Sequence, residues 1–161
     1  MVTDDPRILI GVCTLNESAN IVPLISRLRE SIPTADILVI DDDSPDKTAE
    51  LAQQIARDDS RIHVRVRHNQ QGLGSALREA MGYAIDNQYD YFLNLDGDFS
   101  HDPDQLPPLL DRALADDRID VVIGSRYVQG GSIVGWPAHR KWMSWMVNRF
   151  ATLCLRLPVR D

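Results

Sequence analysis

The feature that most constrains this chain is a repeated alternation between short apolar runs and longer amphipathic segments. Residues 7–13 (RILIGVC), 37–40 (ILVI), 62–66 (IHVRV) and 91–95 (YFLNL) have strand length and are rich in Ile, Leu and Val. Runs that are apolar at successive positions suit strands covered on both faces. Between them, Ile21, Leu24, Ile25 and Leu28 fall on one face of a helix expected over 19–30, and a second helix is expected over 46–58. Leu77, Ala80, Met81, Ala84 and Ile85 mark a third over 73–86. Pro103 suits the first turn of a helix carrying Leu106, Leu109, Leu110 and Leu114. VVI at 121–123 reads as a short fifth strand, followed by a Gly-rich loop over 124–135 and a long helix from about 138 to 155. The order βαβαβαβαβ, with short connections, predicts an α/β fold: a parallel sheet with helices on both faces and right-handed crossovers.

Composition narrows what such a fold is for. The 161 residues, 43% of them hydrophobic, suffice for one domain spanning 1–161 and are too few for two with sizeable cores. No apolar run reaches the roughly 18–20 residues of a membrane-spanning helix. Cys13 and Cys154 are too few for a disulfide framework or a metal cluster, which favours a reducing compartment. The net charge of −7 is unevenly spread: 11 basic residues stand against 23 acidic up to residue 120, and 6 against 1 after it. An acidic body of this kind argues against nucleic acid as a partner. It suits a cation in one region and anions in the other.

Ligands of open α/β sheets bind beyond the carboxyl ends of the strands. Here those ends carry Thr14 to Glu17, Asp41 to Ser44, Asp96 to Asp98, and Ser125 with Arg126. Asp96-Gly97-Asp98 places two carboxylates one residue apart just past a strand, an arrangement suited to a divalent cation that bridges phosphate oxygens. A plain Asp-Gly turn is the alternative. Asp41, Asp42 and Asp43 need donors if all are ionised, and one of them or Ser44 is expected to cap the helix after Pro45. Asp42 is expected to contact a base or ribose. Gly72 and Gly74 read as turn and close-packing glycines near a nucleotide, since neither GxGxxG nor GK[ST] is present. Arg126 and Arg140 suit phosphate, with surface ion pairs as the alternative. The last helix, with Trp142, Met146, Arg149, Phe150, Leu153 and Leu157 on a broad side, is mostly explained by core packing. Contact with a lipid surface would explain its apolar excess. The histidines lack zinc-ligand spacing, and no nucleophile elbow is present.

The segments FLNLDGDFSHDPD (92–104) and VVIGSRYVQGGSIVGWPAHR (121–140) resemble the polyprenyl-phosphate mannosyltransferases, the dolichol-phosphate mannose synthases of the family 2 inverting glycosyltransferases. So do TLNE (14–17), IDDDSPDKT (40–48) and NQQGLGSA (69–76), all in the family's order. The resemblance implies a GT-A fold, Rossmann-like with a mostly parallel sheet. It further implies mannose transfer from GDP-mannose to dolichyl or polyprenyl phosphate at the cytoplasmic face of a membrane, with Mg²⁺ or Mn²⁺ as cofactor. By carry-over, Asp96 and Asp98 hold the metal, with Ser100 as an indirect ligand where relatives have Gln. Thr14, Asn16, Glu17, Asp42 and Gly72 join Asp96 in the nucleotide pocket. Asp98, Arg126 and Arg140 do the catalytic work, the arginines by holding the acceptor phosphate. The sequence departs from the family pattern at Cys13 (usually Pro), Leu15 (usually aromatic), and Asp43 and Lys47 (both usually Gly). The pattern also continues past an Asp like Asp161, so the chain is expected to be C-terminally truncated. A donor such as UDP-glucose, or a non-catalytic nucleotide-sugar-binding subunit, remains an alternative.

Overall fold

A computed structural model describes residues 5–68, 72–125 and 137–154. Four parallel strands form one sheet in the order β3-β2-β1-β4: β1 (Ile8–Thr14), β2 (Asp36–Asp41), β3 (Ile62–Val66) and β4 (Tyr91–Asp96). The helices between them are α1 (Ile21–Ser31), α2 (Thr48–Asp58) and α3 (Leu73–Asp86). The chain divides into two compact units, 1–107 and 108–161, and the whole sheet belongs to the first.

Burial follows the pattern of the sequence. Every residue of β1 is buried, as are Ile37 to Asp41 of β2, because these are the two central strands. Alternation along each strand sorts side chains to opposite faces. Leu9, Cys13, Leu38 and Ile40 pack against Ala76, Ala80 and Ala84 of α3, with Tyr83, Tyr89 and Phe92 around them. The small residues at four-residue spacing let α3 lie close to the sheet. Gly11 is part of that close fit, since a Cβ there would come within 2.8 Å of the Phe92 ring. Ile21, Leu24, Ile25 and Leu28 are the buried face of α1. The buried β1 Cys13 thiol has its pKa pushed up to about 11, chiefly by loss of solvation.

Two differences from expectation concern helix and strand ends. The cap at the start of α2 comes from Asp46, not from Asp41 to Ser44: its Oδ1 accepts from the Thr48 N–H (3.1 Å) and the Thr48 hydroxyl (2.5 Å). Lys47 takes the left-handed conformation at the N-cap, φ 71°, which leaves the side chain before it to serve the first turn. Residues 121–123 form no strand; Val121 is 74% exposed and the segment 121–125 is irregular. Apolar character alone does not make a strand. Three residues offer few ladder hydrogen bonds against the entropy of ordering them.

After β4, a 3₁₀ turn (Pro103–Gln105) leads into α4 (Leu106–Leu114). The second unit contains α5 (Ala138–Cys154). Core packing does not account for α5: Trp142, Met143, Trp145, Met146, Val147, Phe150 and Leu153 are all exposed. Among the described residues, no helix is long and apolar enough to cross a membrane.

Candidate nucleotide and metal site

The strand register brings the carboxyl ends into one row. Thr14 lies opposite Asp41, Cys13 opposite Asp96, and Asp41 opposite Val66. Pairing continues one step beyond the strands, from the Asp42 N–H to the Thr14 carbonyl (3.0 Å) and from the Arg67 N–H to the Asp41 carbonyl (2.8 Å). Thr14, Asp42 and the Asp96/Asp98 pair therefore occupy the same edge of the sheet. Arg126 lies outside the described residues. Arg140 is in the first turn of α5, and its side chain is outside them as well.

Two buried carboxylates organise the centre of this edge. Asp41 is fully buried; its Oδ1 accepts from the Ser44 N–H (2.8 Å), and its Oδ2 from the hydroxyls of Thr14 (2.8 Å) and Ser44 (2.7 Å). The Ser44 oxygen in turn accepts from the Asn16 N–H (2.9 Å). Thr48 and Asp46 repeat the device, accepting from the Glu17 N–H (2.8 Å) and the Ser18 N–H (2.9 Å) respectively. Asp46, with the Thr48 hydroxyl as the main cause, has its pKa lowered to about 2. The loops after β1 and β2 are thus laced together, which places Asn16 and Glu17. Glu17 itself accepts from the Asn20 side chain at 2.7 Å.

Asp42 is held from another direction. Its Oδ1 accepts from Nε (2.7 Å) and Nη2 of Arg67, whose side chain is only 2% exposed, and its Oδ2 accepts from the Gly72 N–H (2.8 Å). Gly72 has φ 118°, a conformation that glycine adopts readily and other residues rarely do. Arg67 and Asp46 were not legible as site residues. The one available signal for Arg67 was a charge placed directly after the strand 62–66.

Asp96 and Asp98 stand apart in character. Both carboxylates reach solvent. Asp98 Oδ1 accepts from the Ser100 N–H (2.8 Å) and Oδ2 from the Ser100 hydroxyl (2.6 Å), and this hydroxyl is the main cause of its lowered pKa. His101 Nδ1 lies 3.8 Å from Asp96 Oδ2. Gly97 between them is buried against the β1 loop; a Cβ there would meet Thr14 Cγ2 at 2.9 Å and Glu17 Cγ at 3.2 Å. The glycine is what allows the β4 turn to seat on that loop. Among the described residues no ready-made group of three metal-ligating side chains exists. Two exposed carboxylates one residue apart, with Asp98 aimed by Ser100, fit a hard divalent cation of the Mg²⁺ class, which takes one or two protein carboxylates and leaves other positions to water and phosphate oxygens. Ser100 orients Asp98 through both its N–H and its hydroxyl.

Backbone strain gathers at the same edge. Asn16 (φ 61°), Asp43 (58°), Lys47 (71°) and Phe99 (58°) are left-handed non-glycine residues in the loops after β1, β2 and β4. Asp43 and Lys47 are the two positions where the sequence departs from the resembled pattern by replacing glycine. Their φ values supply the physical reason glycine suits both.

The sequence model described as Glycosyl transferase family 2 matches residues 9–160. The chain is 39% identical over 155 residues to the undecaprenyl-phosphate mannosyltransferase of Micrococcus luteus, covering 96% of this chain and 63% of that protein. It is 36% identical over 156 residues to the polyprenol monophosphomannose synthase of Mycolicibacterium smegmatis (96% and 58% covered). It is also 36% identical to the dolichol-phosphate mannosyltransferase of Pyrococcus furiosus (90% and 41% covered). The chain therefore spans roughly two-fifths to three-fifths of the length of these relatives. A mannosyltransferase from Pyrobaculum calidifontis, solved in complex with GDP-Man and Mn²⁺, aligns over 51% of this chain and 25% of its own, at 23% identity and a TM-score of 0.46.

Proposed function

The chain belongs to glycosyl transferase family 2, and from that premise we propose that it is the nucleotide-sugar-binding part of an inverting enzyme transferring mannose from GDP-mannose to a polyprenyl phosphate. The observation that carries the reading is the shared sheet edge, where the buried Asp41/Asp42 centre adjoins the exposed Asp96/Asp98 pair. The mannosyltransferase names of the relatives support the choice of sugar and acceptor.

In this reading Thr14, Asn16, Glu17, Asp42 and Gly72 line the nucleoside end of the pocket. Mg²⁺ or Mn²⁺, held by Asp96 and Asp98, would offset charge on the leaving diphosphate. Ser100 aims Asp98, its N–H and hydroxyl each donating to one carboxylate oxygen. The nucleophile is a phosphate oxygen that is already anionic, and the chemistry needs little or no general base. What it needs is alignment, assigned by resemblance to Arg126 and Arg140 as a clamp on the acceptor phosphate. The exposed apolar side chains of α5, with the Arg149 guanidinium 5.9 Å from the Trp145 ring, support seating against a membrane surface; its cytoplasmic face is what the resemblance implies.

Calorimetry with GDP-mannose, UDP-glucose and GDP, each with and without Mn²⁺, tests donor and metal together. GDP-mannose binding strengthened by Mn²⁺ is expected. Preference for UDP-glucose would overturn the donor, and binding indifferent to Mn²⁺ in both wild type and Asp98→Ala would overturn the metal. Arg126→Ala is expected to spare GDP-mannose binding while weakening acceptor use; equal loss of both would contradict the clamp.

A further inference from the structure

Arg67 is the most completely enclosed cation among the described residues, and nothing above gives it a role in the reaction. Its Nε and Nη2 both donate to Asp42 Oδ1. Its Nη1 donates to the Ser75 hydroxyl at 2.8 Å, and Nη2 also lies 3.2 Å from the Gly72 carbonyl. Gly72 and Ser75 are bound to one another, the Ser75 hydroxyl donating to the Gly72 carbonyl at 2.8 Å, and Gly72 closes the circuit by donating its N–H to Asp42 Oδ2. One guanidinium therefore joins the loop after β2, the end of β3 and the first turn of α3. The loop after β2 lies 25 to 30 residues before the other two in sequence, and it and the start of α3 carry residues of the proposed nucleoside pocket.

A purely stabilising ion pair has no need of this arrangement. Burying two charges costs solvation that their attraction offsets only with good geometry, and an apolar pair of similar volume often stabilises as much. A planar fork of fixed donors does supply a defined position for Asp42 and for the turn at Gly72. Three of the roughly four acceptor positions on the Asp42 carboxylate are filled by the protein, so its orientation is set before any ligand arrives. We infer that Arg67 is a positioning residue of the donor site, holding Asp42 and the Gly72–Ser75 turn as one pre-set unit on which nucleotide affinity depends. This rests on the nucleotide-binding reading above and names a residue which that reading does not use.

The test is the affinity of the full chain for GDP, set against its thermal midpoint, for the wild type, Arg67→Lys, and the double variant Arg67→Met with Asp42→Asn. Lysine keeps the charge but offers a point donor that cannot hold Asp42 and Ser75 together. Arg67→Lys should stay folded at the assay temperature and bind GDP about tenfold more weakly. The double variant removes both buried charges and so guards against a fold lost to an unpaired carboxylate; since it also lacks the Asp42 carboxylate of the pocket, it should bind weakly, and only wild-type affinity in it bears on Arg67, against the inference. GDP affinity equal to wild type in either folded variant, with only the midpoint lowered, would overturn the inference and leave Arg67 as scaffold. A wild-type chain that binds neither GDP nor GDP-mannose would remove the nucleotide reading itself, which distinguishes the two failures.

Discussion

The ends of β2 and β4 carry the same residue type on the same edge of one sheet and treat it in opposite ways. After β2, Asp41 and Asp42 are buried, and protein donors surround their carboxylates. After β4, Asp96 and Asp98 are open to solvent, with Ser100 and His101 as their near neighbours. The difference arises from position in the sheet. β2 is central, with donors arriving from β1 on one side and β3 on the other, whereas β4 is an outer strand of the described sheet. A buried carboxylate surrounded by protein donors is fixed together with its loops, and an exposed one keeps most of its acceptor positions open to a cation.

The sharpest way to break this comparison is to remove one carboxylate from each end. Asp41→Ala strands three donors in a fully buried site and should cost about 3 kcal/mol or more in chemical denaturation. Asp98→Ala should change stability by less than about 0.5 kcal/mol while, under the proposed function, abolishing the strengthening of GDP-mannose binding by Mn²⁺. Similar stability losses in the two variants would erase the distinction. Gly97→Ala probes where the two ends meet. Its Cβ must displace Thr14 and Glu17, so a loss of about 1–3 kcal/mol is expected; unchanged stability would show that the β1 loop yields freely.

Acid sharpens the comparison further. The folded pKa of Asp46, near 2, lies below its ordinary 3.8, so its contribution is present above about pH 3.8 and is lost as pH falls through 2. Asp46→Asn should therefore be less stable at pH 7 and should show a flatter stability profile between pH 4 and 2. Parallel profiles for wild type and variant would refute that coupling. The smallest effect is expected from backbone strain. Asp43→Gly and Lys47→Gly should each stabilise by about 0.5 kcal/mol, relief of a left-handed φ outweighing the added freedom of the unfolded chain. Asp43 also gives up a 3.1 Å pairing with His68, but both side chains are more than half exposed and such pairs contribute little. Destabilisation by either glycine would mean that the side chain does more than tolerate its conformation.

Much of the fold was legible because burial on two faces leaves a mark on consecutive residues. The four strands lie within a residue or two of where the apolar runs place them, and α3 falls on Leu73–Asp86. The run 121–123 was misleading because three apolar residues state a preference for burial without naming a strand to pair with. α5 misled for a related reason: apolar residues at helical spacing mark a face, but not what lies against it. The edge carrying the site was legible from the polar residues at successive strand ends. Their division of labour was not, and the cap at Asp46 and the knot at Arg67 both escaped notice.

What the sequence by itself determined is the alternation of strand and helix, and with it the edge on which Thr14, Asp42, Asp96 and Asp98 gather, since parallel strands joined by crossovers end on the same side. Only the tertiary structure decided which aspartates are anchors and which are open. That choice depends on donors from Thr14, Arg67 and Gly72, and hydrogen bonds between residues so distant in the chain exist only once the strands have been set side by side.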